Sequence, residues 1–474
     1  MKTSIWWIRR DLRIQHNPAL EEAIANSDVV LPLYILDPHL LSKKAPRRLT
    51  FLFEAIASLD QTLRQRGSQL WIKSGDPYLV LQEVMEQTKA EAVFAEADYS
   101  PYARQRDHKI AISLPLWLVH GLTVFPPGVV VKNTGCPYTV FSHFNRAWKA
   151  LPLPATVSIH DSALKLISTN KANLASEPIP DHTPAKNFPA SEQIANQQLD
   201  LFFDAKLNQY AEKRDRMDLD GTSRLSPYLR FGLISPHYTV SRAILAVEAA
   251  KDKKVRLSAE TWLDELIWRE FYISILHYFP EVLQGSFRKD LRNIQWRNAP
   301  GDFEQWKEGM TGYPVVDAGM RELKQSGWMH NRARMITASF LVKDLLINWQ
   351  EGEAWFMENL LDGDPATNNG GWQWVSGVGT DAAPFFRIFN PVLQGEKFDP
   401  TGNYIREWIP ELATVPDEFI HKPWLMSEKM QAELGIRIGE QYPFPMVDHK
   451  EVKNRALAAY STGKPREVLD GCPT

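Results

Sequence analysis

The stretch DGDPATNNGGWQW, residues 362 to 374, holds two carboxylates, two asparagines, paired glycines and two tryptophans within thirteen residues. Three chemistries compete for it. Asp, Asn, Gly and Pro are the usual turn formers, so the stretch fits a loop that ends in a buried aromatic anchor. Asp362 and Asp364 could hold a hard cation, but the ligand series of a calcium loop is missing and no histidine or cysteine lies nearby, so no metal is expected. The third is a flat polar ring, hydrogen-bonded by Asp and Asn and approached by glycine backbone, with Trp372 and Trp374 beside it.

Other segments carry related signals. ELIWREFY, residues 265 to 272, fits a helix beginning near Thr261, with Trp262, Glu265, Trp268, Arg269 and Tyr272 on one face and Leu263, Leu266, Ile267 and Phe271 on the other. One face packs, and three aromatics beside the charges suit the other to a partner. WMHNRARMITASFLVKDLL, 328 to 346, predicts a second helix with Asn331, Met335, Ala338 and Val342 in one stripe and Arg332 and Arg334 to either side. A buried arginine needs a carboxylate, and Asp362 is a candidate; the same stretch also fits a core helix with two surface arginines. His330 fits a satisfied helix histidine better than a ligand. GTSRLSP, 221 to 227, clusters the hydroxyls of Thr222, Ser223 and Ser226 where a helix could start, which suits a diphosphate. Ordinary capping explains one or two of them.

The elements that must position these residues follow from the rest of the chain. At 474 residues, two or three domains are expected. From Ser4 to about Val131, the apolar runs SIWWI, VVLPLYIL, LWIKSG, AEAVFAEA and LTVFPPGVV alternate with helical patterns such as DPYLVLQEVMEQTKA. This alternation predicts an α/β domain with a Rossmann-like parallel sheet over residues 1–135. No G-x-G-x-x-G follows the first strand, so a nicotinamide dinucleotide is not implied. Residues 136–198 include the Pro-, Ser-, Ala- and Asn-rich tract 151 to 194, expected to be an interdomain linker. From 199 to 474, helical spacing predicts an all-α C-terminal domain.

Composition bounds the function. Hydrophobic content of 44% with 23% charged residues suits a soluble protein, and no apolar run approaches a membrane span. MKTSIWWIRRDLR has too short an apolar core for a secretory signal. Cys136 and Cys472 lie far apart, which fits a reducing interior without structural disulfides, so the cytoplasm is expected. A formal charge of −3 excludes a uniformly basic coat but permits a local basic groove. The 16 tryptophans exceed what core filling calls for and favour stacking or redox roles.

RRDLR near the start, DGTSRLSP, ELIWREFY, TGYPVVDAGMRELKQSGWMHNRARM, DGDPATNNGGWQW and FRIFNP together resemble the DNA photolyase and cryptochrome family, most of all microbial class I cyclobutane pyrimidine dimer photolyases. The resemblance spans six ordered motifs over nearly the whole chain. It implies that the flat ring is the isoalloxazine of FAD, reduced in the active form. By the same resemblance, Tyr210, Thr222, Ser223, Arg224, Leu225 and Ser226 clamp the diphosphate. Trp262, Glu265, Arg269, Asn331, Arg334, Asp362, Gly363 and Asp364 surround a folded FAD, and Asn368 stands beside flavin N5. Glu265, Trp268, Asn331, Arg332, Met335 and Trp374 line the pocket for a flipped dimer, as in other base-flipping enzymes, and Lys397 joins Arg332 on DNA phosphates. Trp372, Trp349 and Trp296 match a tryptophan chain that carries electrons to the flavin. Pro365 stands where relatives commonly carry leucine and stiffens the loop.

The resemblance also implies an antenna chromophore. AEADYSPYARQRD, with Asp98 and Tyr102, and LYILDP, with Asp37, together with Arg48, look more like deazaflavin- or flavin-binding relatives than methenyltetrahydrofolate-binding ones. The expected activity is a deoxyribodipyrimidine photo-lyase: excited reduced FAD gives an electron to the dimer, the cyclobutane ring splits and the electron returns, with Glu265 stabilising the charged bases. The expected partner is DNA containing pyrimidine dimers, with no membrane, no obligate protein partner and a monomeric state. The rivals are a cryptochrome-type blue-light receptor, which often has a longer tail than the roughly twenty-five residues after PFPMVDH, and a six-four photoproduct photolyase, which would have histidines where NRARM stands.

Overall fold

The computed structural model describes residues 2–154, 164–169, 172, 174–183, 187–384 and 387–461. Parts of the expected linker, Phe386 of FRIFNP and Cys472 lie outside the described residues. Backbone contacts divide the chain into two compact units, one through Ala211 plus Ser223–Pro280, the other Glu212–Thr222 plus the chain from Glu281.

In the first unit, β1 (Thr3–Ile8), β2 (Val29–Leu36), β3 (Trp71–Ser74), β4 (Ala92–Glu96) and β5 (Leu116–Val119) form a parallel sheet in the order β3-β2-β1-β4-β5. β1, β2 and β4 are near-continuous apolar runs because helices cover both faces. The fifth strand corrects the sequence reading: LWLV is the strand, and LTVFPPGVV is not. The N–H groups of Val124 and Phe125 donate to the buried Glu270 carboxylate (2.5 and 3.4 Å) instead of to a strand, and Pro126 and Pro127 have no N–H to give. Cys136, just beyond, is disulfide-bonded, which corrects the expectation of a chain without structural disulfides.

The helices of this unit that matter for function are α1 (Pro46–Arg64), α2 (Pro101–Ala111), α3 (Phe141–Lys149), α4 (Ser226–Arg230) and α5 (Lys253–Tyr278). α5 starts eight residues before the expected Thr261, because Asp252 caps it by accepting from the N–H of Lys254 and Val255 (2.6 and 3.4 Å). The polar first turns showed no apolar stripe to betray them.

Among the described residues of the second unit, the named elements of regular structure are helices. α6 (Asn331–Ser339) gives way to a π-helical turn at Phe340–Asp344, so the expected helix over 328 to 346 is shorter and changes pitch. α7 (Trp349–Asn359), α8 (Pro365–Ser376) and α9 (Pro391–Phe398) follow. α8 overturns the loop reading of DGDPATNNGGWQW. Asp364 accepts from the N–H of Ala366 and Thr367 (2.9 and 3.3 Å), and Pro365 takes the first helical position, where its fixed φ helps and its missing N–H costs nothing. Trp306, Phe340, Trp349, Phe356 and Trp372 anchor one apolar core. No helix among the described residues is long and apolar enough to cross a membrane.

Candidate functional site

In the first unit, α5 sorts its faces as its spacing demands. Leu263, Leu266, Ile267 and Phe271 are buried, while Glu265, Trp268, Arg269 and Tyr272 stay partly open. Trp262 departs from the expected open face: it is buried, with ring centroids 4.9 and 5.3 Å from Phe202 and Phe203. Trp268 lies flat against Phe141 of α3, centroids 3.6 Å apart and planes 8° from parallel. Arg269 donates through Nη1 to the carbonyl of Leu122 (2.8 Å). The helix is held at depth by Glu270, which also accepts from Trp148 Nε1 (2.7 Å), and burial pushes that carboxyl up. Tyr210 is buried, Arg224 sits in the left-handed backbone region at φ 52°, and Ser226 opens the short helix α4.

The same unit gathers the residues expected at an antenna. Strand order reverses beside β1, which makes the carboxyl ends of its strands the place where such sheets bind ligands. Asp37 follows β2, Arg10 follows β1 and Asp98 follows β4. Tyr102 on α2 donates to Asp37 Oδ2. Arg10 Nη1 lies 3.3 Å from Asp98 Oδ2; burial alone would push Asp98 up, but Arg10, the Ser100 N–H, Arg9 and Arg106 hold it well below the usual carboxylate range. Arg48 on α1 is close to Lys43, whose ammonium is lowered first by burial and then by Arg48.

In the second unit, Arg334 Nη2 meets Asp362 Oδ2 at 2.8 Å, which settles the open choice between a paired and a surface arginine for this residue, and Arg334 also donates through Nε to the Met329 carbonyl (2.9 Å). Asp362 Oδ1 is buried with no hydrogen-bond partner among the described residues. Asp364 caps α8, and the Gly363 N–H donates to the Leu360 carbonyl (3.3 Å). Asn368, one turn into α8, donates its amide to the backbone carbonyl and the carboxyl of Glu353 on α7 (3.0 and 3.2 Å). His330 caps α6 by accepting from the Arg332 N–H (3.1 Å), as a structural histidine should. Asn331, Met335 and Trp374 are exposed or partly so, and Lys397 of α9 is exposed. Arg332 is paired with Asp215 (2.6 Å) and lies over the Phe398 ring at 4.3 Å. Trp372 and Trp349 are buried in one core, and Trp296 packs against it partly exposed.

The family model of the DNA photolyase domain matches residues 4–159, and that of the FAD-binding domain of DNA photolyase matches residues 262–462. The deoxyribodipyrimidine photo-lyase of Escherichia coli is 39% identical over 486 residues, covering 98% of this chain and 99% of that protein. The chain belongs to the DNA photolyase family. Among solved structures, a class III photolyase from Agrobacterium tumefaciens superposes with a TM-score of 0.89 at 36% identity, covering 97% of each chain. A Synechocystis cryptochrome gives 0.86 at 28% identity, covering 97% of this chain and 99% of that one. An archaeal photolyase from Sulfolobus tokodaii with two FAD molecules gives 0.81 at 29% identity, again over 97% and 99%.

A buried acceptor of this family member fits an isoalloxazine. Ring N–H groups need acceptors, and Asp362 Oδ1 is a buried acceptor with none of its own donors. Reading the sequence missed Asp215, Glu270, Gly352 and Glu353, which contact Arg332, the Val124–Phe125 backbone, Trp372 and Asn368 respectively. Glu270 lies inside ELIWREFY but was not singled out there, and Asp215, Gly352 and Glu353 lie outside the quoted motifs; neighbours brought close by folding set them apart.

Proposed function

We propose that this chain is a light-driven DNA repair enzyme that splits cyclobutane pyrimidine dimers. The observation that carries the reading is end-to-end similarity to an enzyme named deoxyribodipyrimidine photo-lyase, with 99% of that protein covered. When bound, reduced FAD supplies the light-absorbing electron donor. Within the first unit we assign Tyr210, Ser223, Arg224, Leu225, Ser226, Trp262, Glu265 and Arg269 to its binding, and Thr222, which belongs to the second unit, joins them. Within the second we assign Asn331, Arg334, Asp362, Gly363, Asp364 and Asn368. Asp362, fixed by Arg334, offers an acceptor in a stable position. In the first unit we assign Trp268 as a surface for unstacked bases and Glu265 to their polar edges, and in the second unit Met335 and Trp374 as such surfaces. Arg332 and Lys397 neutralise phosphates. Trp372, Trp349 and Trp296 refill the flavin with electrons from the protein edge inward.

Residues 1–135 serve as the antenna domain, 136–198 as the linker and 199–474 as the catalytic domain. Asp37, Arg48, Asp98 and Tyr102 hold a second chromophore of deazaflavin or flavin type, a reading supported by the pairing of Tyr102 with Asp37 at the sheet's carboxyl ends. The protein works as a monomer, and its cytoplasmic placement no longer draws support from its cysteines. The likeness to a cryptochrome favours one second reading, a blue-light receptor. An absorption spectrum of the purified protein, followed by a blue-light assay on DNA carrying cyclobutane dimers, separates the two: flavin absorption with no dimer loss would leave the receptor reading standing.

A further inference from the structure

We propose that Glu353 is a positioning residue that holds the Asn368 side chain so that only its carbonyl oxygen is left to meet a bound flavin. The proposal rests on the reading that Asn368 stands beside flavin N5. A side-chain amide has two hydrogens and one carbonyl oxygen. Asn368 Nδ2 lies 3.0 Å from the Glu353 backbone carbonyl and 3.2 Å from Glu353 Oε1, so one residue of α7 takes both hydrogens. Asn368 Oδ1 receives no hydrogen bond from the described residues. The backbone bond from the Asn368 N–H to the Asp364 carbonyl (2.9 Å) and the capped start of α8 fix where the side chain begins.

The consequence is chemical. A carbonyl oxygen attracts an N–H and repels a bare nitrogen lone pair. Reduced flavin carries a hydrogen on N5, whereas oxidised flavin has only a lone pair there. An amide that cannot turn its NH₂ toward the ring therefore favours the reduced cofactor over the oxidised one. Glu353 performs this task in either protonation state, because a carboxylic acid and a carboxylate both have an oxygen that accepts from Nδ2. Burial pushes its carboxyl up to about 7, and the bond from Asn368 opposes that rise.

The test uses the FAD-loaded full chain, reduced with dithionite and returned to air, with reoxidation followed by flavin absorbance and FAD content measured alongside. Glu353→Met removes the side-chain acceptor while keeping helix propensity, and reoxidation should quicken about fivefold, the weight of one lost hydrogen bond. Glu353→Gln keeps an acceptor oxygen and should restore the rate to within about twofold of wild type, which a purely structural role would not explain. Should Glu353→Met fail to fold or to bind FAD, Glu353→Asp withdraws the carboxylate by one methylene and must quicken reoxidation too. A wild-type rate in Glu353→Met, or in Glu353→Asp where that variant stands in, overturns the proposal if Asn368→Asp still alters the rate. Should Asn368→Asp also behave as wild type, the placement of Asn368 beside the flavin fails, and the proposal falls with it.

Discussion

Glu265 and Lys343 show how one side chain can be read from its surroundings. Glu265 stands on the partly open face of α5 between Trp262 and Trp268, where a carboxyl can reach the polar edges of bases. Glu265→Ala should retain FAD, lower repair per absorbed photon and weaken lesion binding by about 1–3 kcal/mol; unchanged repair yield would remove Glu265 from the reaction. Lys343 is buried, donates to the Ser376 carbonyl (2.9 Å) and lies 3.5 Å from the centre of the Tyr460 ring. Burial lowers its ammonium from 10.5 to about 7. Between those values the unfolded chain holds the proton and the folded chain does not, so stability rises with pH across that window, and the penalty is fully present below about pH 7. Lys343→Met should therefore raise Tm most at pH 6 and least at pH 10, spanning less than about 5 kcal/mol in stability. Thermal scans showing the same shift at both pH values would contradict this.

Helices α7 and α8 set the geometry of the expected electron relay. Trp372 is the buried anchor of α8, and its ring packs against α7 at Gly352, where an added Cβ would lie 2.2 Å from the indole. Gly352 is three residues from Trp349, so one helical turn separates the contact from the next tryptophan. Trp372→Phe keeps most of the packing but is much harder to oxidise. The variant should bind FAD, fail to photoreduce it with an external donor, and repair dimers once dithionite has reduced the flavin; undiminished photoreduction would exclude Trp372 from the relay. Gly352→Ala drives a methyl into that ring and should cost about 1–3 kcal/mol by overpacking. Chemical denaturation of the two proteins measures it, and an unchanged midpoint would show that the ring moves aside freely.

The molecule as a whole carries a formal charge of −3, so DNA must be drawn to a local basic surface rather than to the net charge. Arg332 is already paired with Asp215 and Lys397 is exposed. Affinity for a dimer-bearing duplex should fall with salt, log against log, with a slope of about −0.9 per phosphate contact. Lys397→Ala should reduce that slope by about one contact. Titrations at several salt concentrations check both, and an affinity indifferent to salt would rule out phosphate recognition.

The parallel sheet and the helical C-terminal half were legible in the sequence because hydrophobic periodicity records burial directly. So was the open face of α5, and Asp362 was legible as a candidate carboxylate for one of the two arginines, with Arg334 chosen over Arg332 only by the fold. The loop, one of the readings kept open for DGDPATNNGGWQW, fails because turn formers and helix-capping residues are the same residue types, and only the position of Asp364 and Pro365 at a helix start decides between them. LTVFPPGVV has strand composition, yet the donors of its Val124 and Phe125 go to Glu270, almost 150 residues along the chain. Trp262 lay on the right face by spacing and was buried by Phe202 and Phe203. Residue types and their spacing thus determined which groups could do chemistry. Which partners fix those groups, Glu353 for Asn368 and Asp215 for Arg332, was decided only by tertiary structure, because hydrogen bonds and ion pairs act across distances in space that sequence separation does not encode.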